Sequence, residues 1–257
     1  MGKDKRIVVI SDTQCPYEDT RALKAVIRFI GEYQPDEVIH IGDVVDYPQP
    51  SRWTKGTRQE FEGSVFADSE YTIKNLIQPL REAYGGEIGF HEGNHDERPR
   101  VYLDKYAPAL SGPAYFNFEH LLEFENYEIR RLPEFNKVAP GWITTHGHRG
   151  GISLSRIAGN TALNAARKLD SNLVMGHTHR LGIGSESRGR GGVITSRVTG
   201  MEVGNLMDQK KAGYLRGGSA NWQSGFGIIQ VSGPHVQATP ISINGKKFTV
   251  DGVVYHV

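Results

Sequence analysis

Five short clusters of polar side chains in this sequence have the residue types that bind divalent metal ions. Each cluster follows a short apolar run, and together they supply carboxylates, imidazoles and an amide oxygen. Ligands mixed in this way suit manganese, iron or zinc better than calcium. The clusters are Asp12; Asp43 with Asp46; Asn94 with His95; His146; and His177 with His179. As an ensemble they predict a dinuclear metal site.

The apolar runs before the clusters predict β-strands. Residues 38–41 are a brief β-branched run that ends at Gly42, which is typical of a buried parallel strand. Residues 6–10 predict an earlier strand, and apolar residues at helical spacing over 23–30 predict a helix between the two, with Asp19 or Thr20 as its N-cap. This order is a βαβ unit, and ligands bind at the C-terminal ends of such strands.

Further along the chain, strands and helices continue without a linker or repeat. The stripe over 61–80 predicts a helix that Pro79 should kink or end, and the apolar run over 157–169 predicts another. Strands are predicted at 87–91, 127–132, 142–145 and 173–175, and antiparallel strands with glycine-rich turns after 181. We therefore expect one domain over 1–257, with loop and helix insertions at about 47–60 and 97–123.

Composition fits a globular protein without a membrane segment. The 257 residues, 38% of them apolar, suffice for one large domain with a substantial core. The apolar run at 7–10 is too short for a signal peptide or a membrane span. A soluble, cytoplasmic protein is expected, and the single Cys15 excludes an internal disulfide.

Charge is unevenly distributed along the chain although the formal net charge is only +1. Residues 1–129 carry 14 Lys and Arg against 23 Asp and Glu, whereas residues 130–220 carry 14 against 5. An acidic half could hold cations and a basic half could meet an anionic substrate, although separate solvated faces explain the pattern equally well. The charge gives no strong signal for nucleic-acid or membrane binding.

The glycine-framed blocks in their order resemble the calcineurin-like metallophosphoesterases. These are SDTQ at 11–14, GDVVD at 42–46, GNHD at 93–96, a His before Gly at 146–147 and GHTH at 176–179. The resemblance implies a four-layer α/β/β/α sandwich, in which two mixed sheets are flanked by helices and the metals lie at the strand ends.

The resemblance also implies a role for each matching residue. It assigns one metal to Asp12, Asp43 and His179, and the other to Asp43, Asn94, His146 and His177. Asp43 would bridge two ions roughly 3.5–4 Å apart. Mn²⁺ is the favoured ion, with Fe, Zn and Mg as alternatives.

The mechanism implied by the resemblance is attack of a metal-bridging hydroxide on phosphorus, without a covalent enzyme intermediate. His95 resembles the family's histidine that protonates the leaving group. Asp46 would orient His95 and favour its charged form.

Two residues depart from the family pattern. Gln14 stands where the family usually has histidine, and an amide oxygen is a harder, weaker ligand than imidazole. The Asp12 site should therefore be the weaker and exchangeable one, and whether Gln14 ligates its metal is left open. Tyr47 stands where protein Ser/Thr phosphatases of the superfamily carry arginine, which argues against phosphoprotein substrates.

These observations favour hydrolysis of small phosphodiesters, cyclic nucleotides included. A phosphomonoesterase or nucleotidase is the alternative among enzymes, and a non-catalytic binding module with this fold is the alternative from another class. The expected partner is a small phosphoester, with a nucleotide as one case, and the sequence leaves the oligomeric state undetermined.

Three residues near the metal-ligand blocks are candidates for binding substrate. Arg149 and Arg180 could bind a phosphate group, although a solvated arginine is the commoner case. His148 could touch substrate or support a metal ligand, and an exposed turn histidine is an equally good interpretation. Trp222 could stack on a base or simply pack at the rim.

Overall fold

A computed structural model describes residues 4–212 and 218–257 of the chain. The strands in these residues are β1 (Lys5–Ile10), β2 (Glu37–His40), β3 (Glu87–Phe90), β4 (Ile129–Arg131), β5 (Asn136–Ala139), β6 (Trp142–Thr145), β7 (Asn172–Met175), β8 (Leu181–Arg190), β9 (Val193–Val203), β10 (Gly225–Ser232), β11 (His235–Ser242), β12 (Lys247–Val250) and β13 (Val253–His256). The α-helices are α1 (Thr20–Tyr33), α2 (Val65–Thr72), α3 (Gln78–Ala83), α4 (Arg98–Tyr106), α5 (Phe118–Leu121) and α6 (Asn160–Leu169).

Two large mixed sheets form the centre of the molecule. The first has six strands in the order β11-β10-β1-β2-β3-β4, of which β1 to β4 are parallel and β10 is antiparallel to both its neighbours. The second has five strands in the order β5-β6-β7-β9-β8, with β6, β7 and β9 parallel. Strands β12 and β13 form a separate two-stranded antiparallel sheet.

The two sheets pack face to face. Ile7 of β1 and Ile39 of β2 lie in one buried apolar cluster with Val174 of β7 and Met201 of β9. Side chains alternate between the faces of a strand, so neighbouring residues point away from this interface. Each fully buried aliphatic side chain contributes about 1.5–3 kcal/mol relative to an exposed one, which makes the inter-sheet layer a large share of the core.

Helices cover the outer faces of both sheets. Val8 of β1 belongs to a second buried cluster with Val26 and Phe29 of α1. On the far side of the molecule, Ala165 of α6 packs in a third cluster with Leu173 of β7. Helix, sheet, sheet and helix therefore form four layers, and the predicted α/β/β/α sandwich is confirmed.

The first helix begins as its sequence predicts. Asp19 has extended backbone and its carboxylate accepts the backbone N–H groups of Arg21 and Ala22, which makes it the N-cap. The helix ends at Gln34, whose φ of 46° is left-handed. Because α1 joins β1 to β2 and packs on both, it fixes where each of these strands ends.

Two helix boundaries and one strand differ from the sequence prediction. Pro79 does not end its helix, since a π-helical turn at Ile73–Ile77 precedes it and α3 continues to Ala83. Helix α6 starts only at Asn160, since Gly159 before it has a φ of 82°. Strand β5 was not predicted.

Within residues 4–212 and 218–257, no helix is both long enough and apolar enough to cross a bilayer.

Candidate metal centre and catalytic site

The predicted metal-binding side chains lie where the parallel strands of both sheets end. Asp12 and Asp43 follow β1 and β2 in the first sheet, and His146 and His177 follow β6 and β7 in the second. The face-to-face packing of the sheets brings these ends together. One edge of the sandwich therefore gathers residues that are up to 165 positions apart in the sequence, as the contact of His177 N–H with Asp12 Oδ2 at 3.0 Å illustrates.

Ligand atoms of these residues form two groups that share one carboxylate. Asp12, Asp43 and His179 make one group, and Asp43, His146 and His177 make the other. Within each group the ligand atoms lie within 4.8 Å of one another. The grouping is the one that the family resemblance implies, with Asp43 between the two sets, while metal binding by them stays a prediction.

Two amide side chains lie beside these groups. Nε2 of His146 lies 3.2 Å from Asn94 Oδ1 and 3.4 Å from Asp43 Oδ1, so Asn94 adjoins the second group. Nε2 of Gln14 lies 3.0 Å from Nε2 of His179 in the first group. Gln14 therefore lies beside the first group, at the sequence position where the family usually has histidine.

The donor set fits a metal ion because it contains buried polar atoms that the protein leaves unbonded. Among the described residues, Asp12 Oδ1, Gln14 Oε1 and His179 Nδ1 have no hydrogen-bond partner. All three residues are 5% exposed or less. A buried polar atom without a partner costs about 1–3 kcal/mol. Ligation of a cation by Oδ1 of Asp12 and Oε1 of Gln14 would offset that cost.

The backbone at the ligands adopts conformations that L-residues rarely take. Asp12, Gln14, Asp43, His177 and His179 have φ values of 49°, 47°, 51°, 69° and 57°. Each such left-handed residue costs roughly 1–2 kcal/mol, and residues of this kind cluster at functional sites. The segment from His177 to His179 is not extended, and its turning backbone directs the two imidazoles to adjoining groups.

A close backbone approach joins the loops after β2 and β3. A Cβ atom on Gly93 would lie 2.2 Å from both the backbone nitrogen and Oδ1 of Asp43, far inside van der Waals contact. The approach lets the backbone N–H of His95 donate to Asp43 Oδ1 at 2.8 Å. Glycine at position 93 is thus a geometric requirement of the site.

The imidazoles around the two buried carboxylates of Asp12 and Asp43 favour their ionised forms. Burial alone would raise the pKa of Asp43, but the charges of His146 and His95 outweigh burial and hold its pKa well below the ordinary value. Burial likewise acts to raise the pKa of Asp12, and His179 lowers it overall. Both side chains are therefore ready to bind a cation.

The imidazoles of the second group respond in opposite directions. Burial disfavours the charged form of His146, but the carboxylates, Asp43 first, raise its pKa to about 10. Burial and then the charge of His146 lower the pKa of His177 to about 4. With the protein's own charges alone, His146 holds a proton that a metal ion bound at this group would displace, and His177 is a neutral donor of an electron pair.

His95 and Asp46 form a hydrogen-bonded pair at the mouth of the site. Nδ1 of His95 lies 2.7 Å from Oδ1 of Asp46, and Nε2 of the same ring lies 3.8 Å from Asp43 Oδ2. The ring therefore turns one nitrogen to Asp46 and the other to the carboxylate shared by the two groups. Because Nδ1 is held by Asp46, Nε2 is the ring nitrogen that could act on a leaving group.

Asp96 is a site residue to which the sequence analysis gave no role. Its carboxylate accepts the backbone N–H groups of Val44, Val45 and Gly93 at 3.3, 3.0 and 2.8 Å. Burial and then the charge of Asp43 raise its pKa well above the ordinary value. Asp96 ties the loop after β2 to the loop after β3. The sequence signal for a role of Asp96 was its position as the fourth residue of the GNHD block.

Arg98 is the second residue that the sequence analysis missed. Its Nη1 donates to the backbone carbonyl of Asp46 at 2.6 Å, and its Nη2 lies 2.9 Å from Nε2 of His95. Arg98 follows His95 by three positions in the sequence. This spacing alone did not distinguish Arg98 from the neighbouring Arg100.

An open cleft of about 920 Å³ lies over the site. Its lining combines acids, basic side chains and exposed or partly exposed aromatics. The lining residues are Gln14, Tyr17, Asp43, Asp46, Pro48, Ser51, Trp53, Thr54, Gln59, His95, Arg98, His177, His179, Met207, Lys211 and Trp222. The volume is within the range of small-molecule sites.

Tyr47 lies behind this cleft rather than in it. The side chain is fully buried, and its hydroxyl is 2.7 Å from Ser69 Oγ. The position that departs from the protein phosphatase pattern therefore contributes packing, not a contact to substrate.

The three residues predicted to bind substrate are not among those that line the cleft in the described part of the chain. Arg149 pairs with Glu97 and donates to His148 Nε2 at 3.0 Å, and its side chain is 50% exposed. The His148 ring packs 5.2 Å from the ring of His146, behind the second group. Arg180 is half-buried, and its backbone N–H donates to Thr178 Oγ1. These contacts give their predicted role no support.

Comparisons with known proteins agree with this geometry. The family model described as calcineurin-like phosphoesterase matches residues 5–181. The chain is 53% identical to the Gene 54 protein of Mycobacterium phage D29 and 52% identical to that of Mycobacterium phage L5, in each case over 98% of this chain and 99% of the relative. The structure of Vacuolar Protein Sorting 29 from Cryptosporidium parvum is 15% identical, with a TM-score of 0.50 over 100% of both chains, a likeness in fold alone.

Proposed function

Because this chain belongs to the calcineurin-like phosphoesterase family, we propose that it hydrolyses small phosphodiesters with the aid of two divalent metal ions, Mn²⁺ first among them. Family membership supports metal-dependent phosphoester hydrolysis in general. The preference for diesters, the number of ions and their identity are our proposals. A cytoplasmic location and a small phosphoester as the partner are proposals of the same kind.

The observation that carries the proposal is the pair of ligand groups sharing Asp43 beneath a cleft that His95 also lines. Bound at these groups, divalent ions lower the pKa of water and neutralise phosphoryl oxygens. Asp12 and His179 would hold one ion, with Gln14 beside it. Residues Asn94, His146 and His177 would hold the other.

The remaining site residues would handle the leaving group. His95 would act on the leaving oxygen through Nε2 once that nitrogen carries a proton, since Nδ1 is held by Asp46 and Nε2 lies on the side of Asp43. General acid catalysis of this kind contributes about 10²–10⁴-fold in rate. Asp46 would keep the ring oriented throughout.

The shape of the cleft favours diesters. Aromatic side chains stand on its walls, with Trp53 75% exposed and Trp222 packed 4.3 Å from the ring of His179. A diester carries a substituent on either side of phosphorus, and an open cleft with aromatic walls can hold both. Because such side chains stack on bases, nucleotides and cyclic nucleotides belong among the proposed substrates.

A phosphomonoesterase is the second candidate, and Arg98 is the observation that favours it. A monoester has one more ionisable oxygen than a diester, and a guanidinium in the cleft could meet it. A non-catalytic binding module is the candidate from another class, and the replacement of histidine by Gln14 is the feature in its favour.

The test is a panel of generic mono- and diesters with 2′,3′- and 3′,5′-cyclic nucleotides, run on metal-depleted protein with and without Mn²⁺. We expect Mn²⁺-dependent hydrolysis that is fastest on diesters and is lost in His95→Ala. The matched control is His235→Ala at an exposed position on β11, which should act like wild type. Faster hydrolysis of monoesters would select the second candidate, and no rescue on any ester would support the binding module.

A further inference from the structure

Arg98 places a guanidinium on the wall of the cleft. It is the first residue of α4, and its side chain is 18% exposed. The other basic side chain of the lining, Lys211, is bound to the backbone carbonyls of Pro16 and Glu18 at 3.2 Å each. Of the two Arg and Lys side chains that line the cleft among the described residues, Arg98 is therefore the one that lies beside His95.

The guanidinium charge is not matched by a close carboxylate. Nη1 bonds a backbone carbonyl, and its separation from Asp46 Oδ2 is 3.7 Å. Charge-assisted bonds between nitrogen and a carboxylate are shorter, about 2.7–2.9 Å. Asp46 instead directs its short bond to His95. An arginine has five N–H donors, and the two contacts described for Arg98 leave donors available for an anion.

The contact between Arg98 and His95 fixes which imidazole nitrogen carries hydrogen. Arginine only donates, so Nε2 of His95 must accept at 2.9 Å, and the ring hydrogen must lie on Nδ1 toward Asp46. In this arrangement Nε2 cannot also face a leaving oxygen with a proton of its own. Something must draw Arg98 away from the ring before His95 can act.

We infer that Arg98 binds a non-bridging phosphoryl oxygen of the substrate and, in doing so, frees Nε2 of His95 to take up a proton from solvent and then give it to the leaving oxygen. The inference rests on the proposed phosphoester hydrolysis. An anionic oxygen is a stronger acceptor for a guanidinium than a neutral imidazole nitrogen. Since both acceptors lie within the reach of one side chain, arrival of the substrate exchanges one for the other. Arg98 is then a substrate-binding residue whose contact also prepares the acid.

Calorimetric titration of Mn²⁺-loaded protein with inorganic phosphate tests this binding without turnover. Arg98→Met should weaken phosphate binding by at least about tenfold, the effect of losing one hydrogen bond to a charged group. Arg98→Lys should fall between, because lysine keeps the charge and loses the fork. The control is Arg100→Met on the same helix, since Arg100 pairs with Glu92 outside the cleft lining, and it should bind within twofold of wild type.

Metal content and circular dichroism establish that each variant is loaded and folded. Phosphate affinity within twofold of wild type in a folded, Mn²⁺-loaded Arg98→Met variant overturns the inference, as does wild type that binds no phosphate at millimolar concentration. If the methionine variant does not fold, unchanged affinity in Arg98→Lys overturns it instead. Failure of the ester panel with intact phosphate binding would defeat the proposed hydrolysis and leave the Arg98 contact standing.

Discussion

Nδ1 of His95 lies 2.7 Å from Oδ1 of Asp46, and this contact joins the loop after β3 to the loop after β2. It holds one nitrogen of the ring and leaves the other directed at Asp43. The acid function assigned to His95 depends on that orientation.

Removing either partner should therefore impair the same step. We expect His95→Ala to lower kcat/KM by about 10²–10⁴-fold, as loss of a general acid does. Asp46→Asn should cost less, because the ring stays and only its orientation suffers. The double variant should be no worse than His95→Ala, since residues that act as a unit are non-additive. If steady-state kinetics showed that the losses of the two single variants multiply in the double variant, this pairing would be contradicted.

Gln14 should set the affinity of the first ligand group. Gln14→His replaces a weak amide ligand by imidazole beside His179 and should tighten one of two Mn²⁺ sites, by about tenfold or more if one good ligand is gained. Calorimetric titration of metal-depleted protein measures both affinities. Two equal sites in wild type, or an unchanged metal content in the variant, would refute a weaker Asp12 site.

Gly93 should tolerate no side chain. In Gly93→Ala the added Cβ would meet the backbone of Asp43 at 2.2 Å, so the two loops must separate. Such overpacking costs about 1–3 kcal/mol or more, and Mn²⁺ content after dialysis should fall together with the melting temperature. Gly112→Ala is the control, since a Cβ there meets nothing within 4 Å. Full metal content in Gly93→Ala would show that the approach is dispensable.

His91 should make stability fall in acid. Burial, then the charge of His146, lowers its pKa to about 3. Below pH about 6.5 the unfolded chain gains a proton that the folded protein does not, so unfolding becomes easier by up to about 1.4 kcal/mol per pH unit until the folded pKa is reached. Above pH 6.5 the residue has no such effect.

Urea unfolding of metal-free protein between pH 7 and pH 5 measures this slope. The free energy of unfolding of His91→Gln should fall less steeply with acidification than that of wild type, whatever its value at pH 7. The exposed His235→Gln is the matched control. Parallel curves for wild type and His91→Gln would mean that His91 takes up a proton in the folded protein.

The strand ends could be predicted from sequence because each is marked locally. A short apolar run followed by glycine and a polar residue describes Asp43 and His177 alike, and parallel strands end at one edge whatever their order. The fold and both ligand groups followed from this pattern together with the family's blocks.

Contacts that depend on side-chain direction could not be predicted in the same way. Arg98 and Arg149 both lie near ligand blocks, and only the folded chain turns Arg98 into the cleft while Glu97 binds Arg149 outside it. The same limit applies to the segment from His177 to His179, whose left-handed backbone no local sequence pattern predicted. Tertiary contacts, not local preference, decide such positions.

The left-handed residues of the metal centre also imply how the chain would respond to selection. At Asp12, Gln14, Asp43, His177 and His179, glycine would relieve backbone strain of roughly 1–2 kcal/mol each. A library sorted only for abundance or heat resistance would therefore enrich variants that have lost their chemistry. Positions at which a substitution raises stability but abolishes activity would identify the residues of this site.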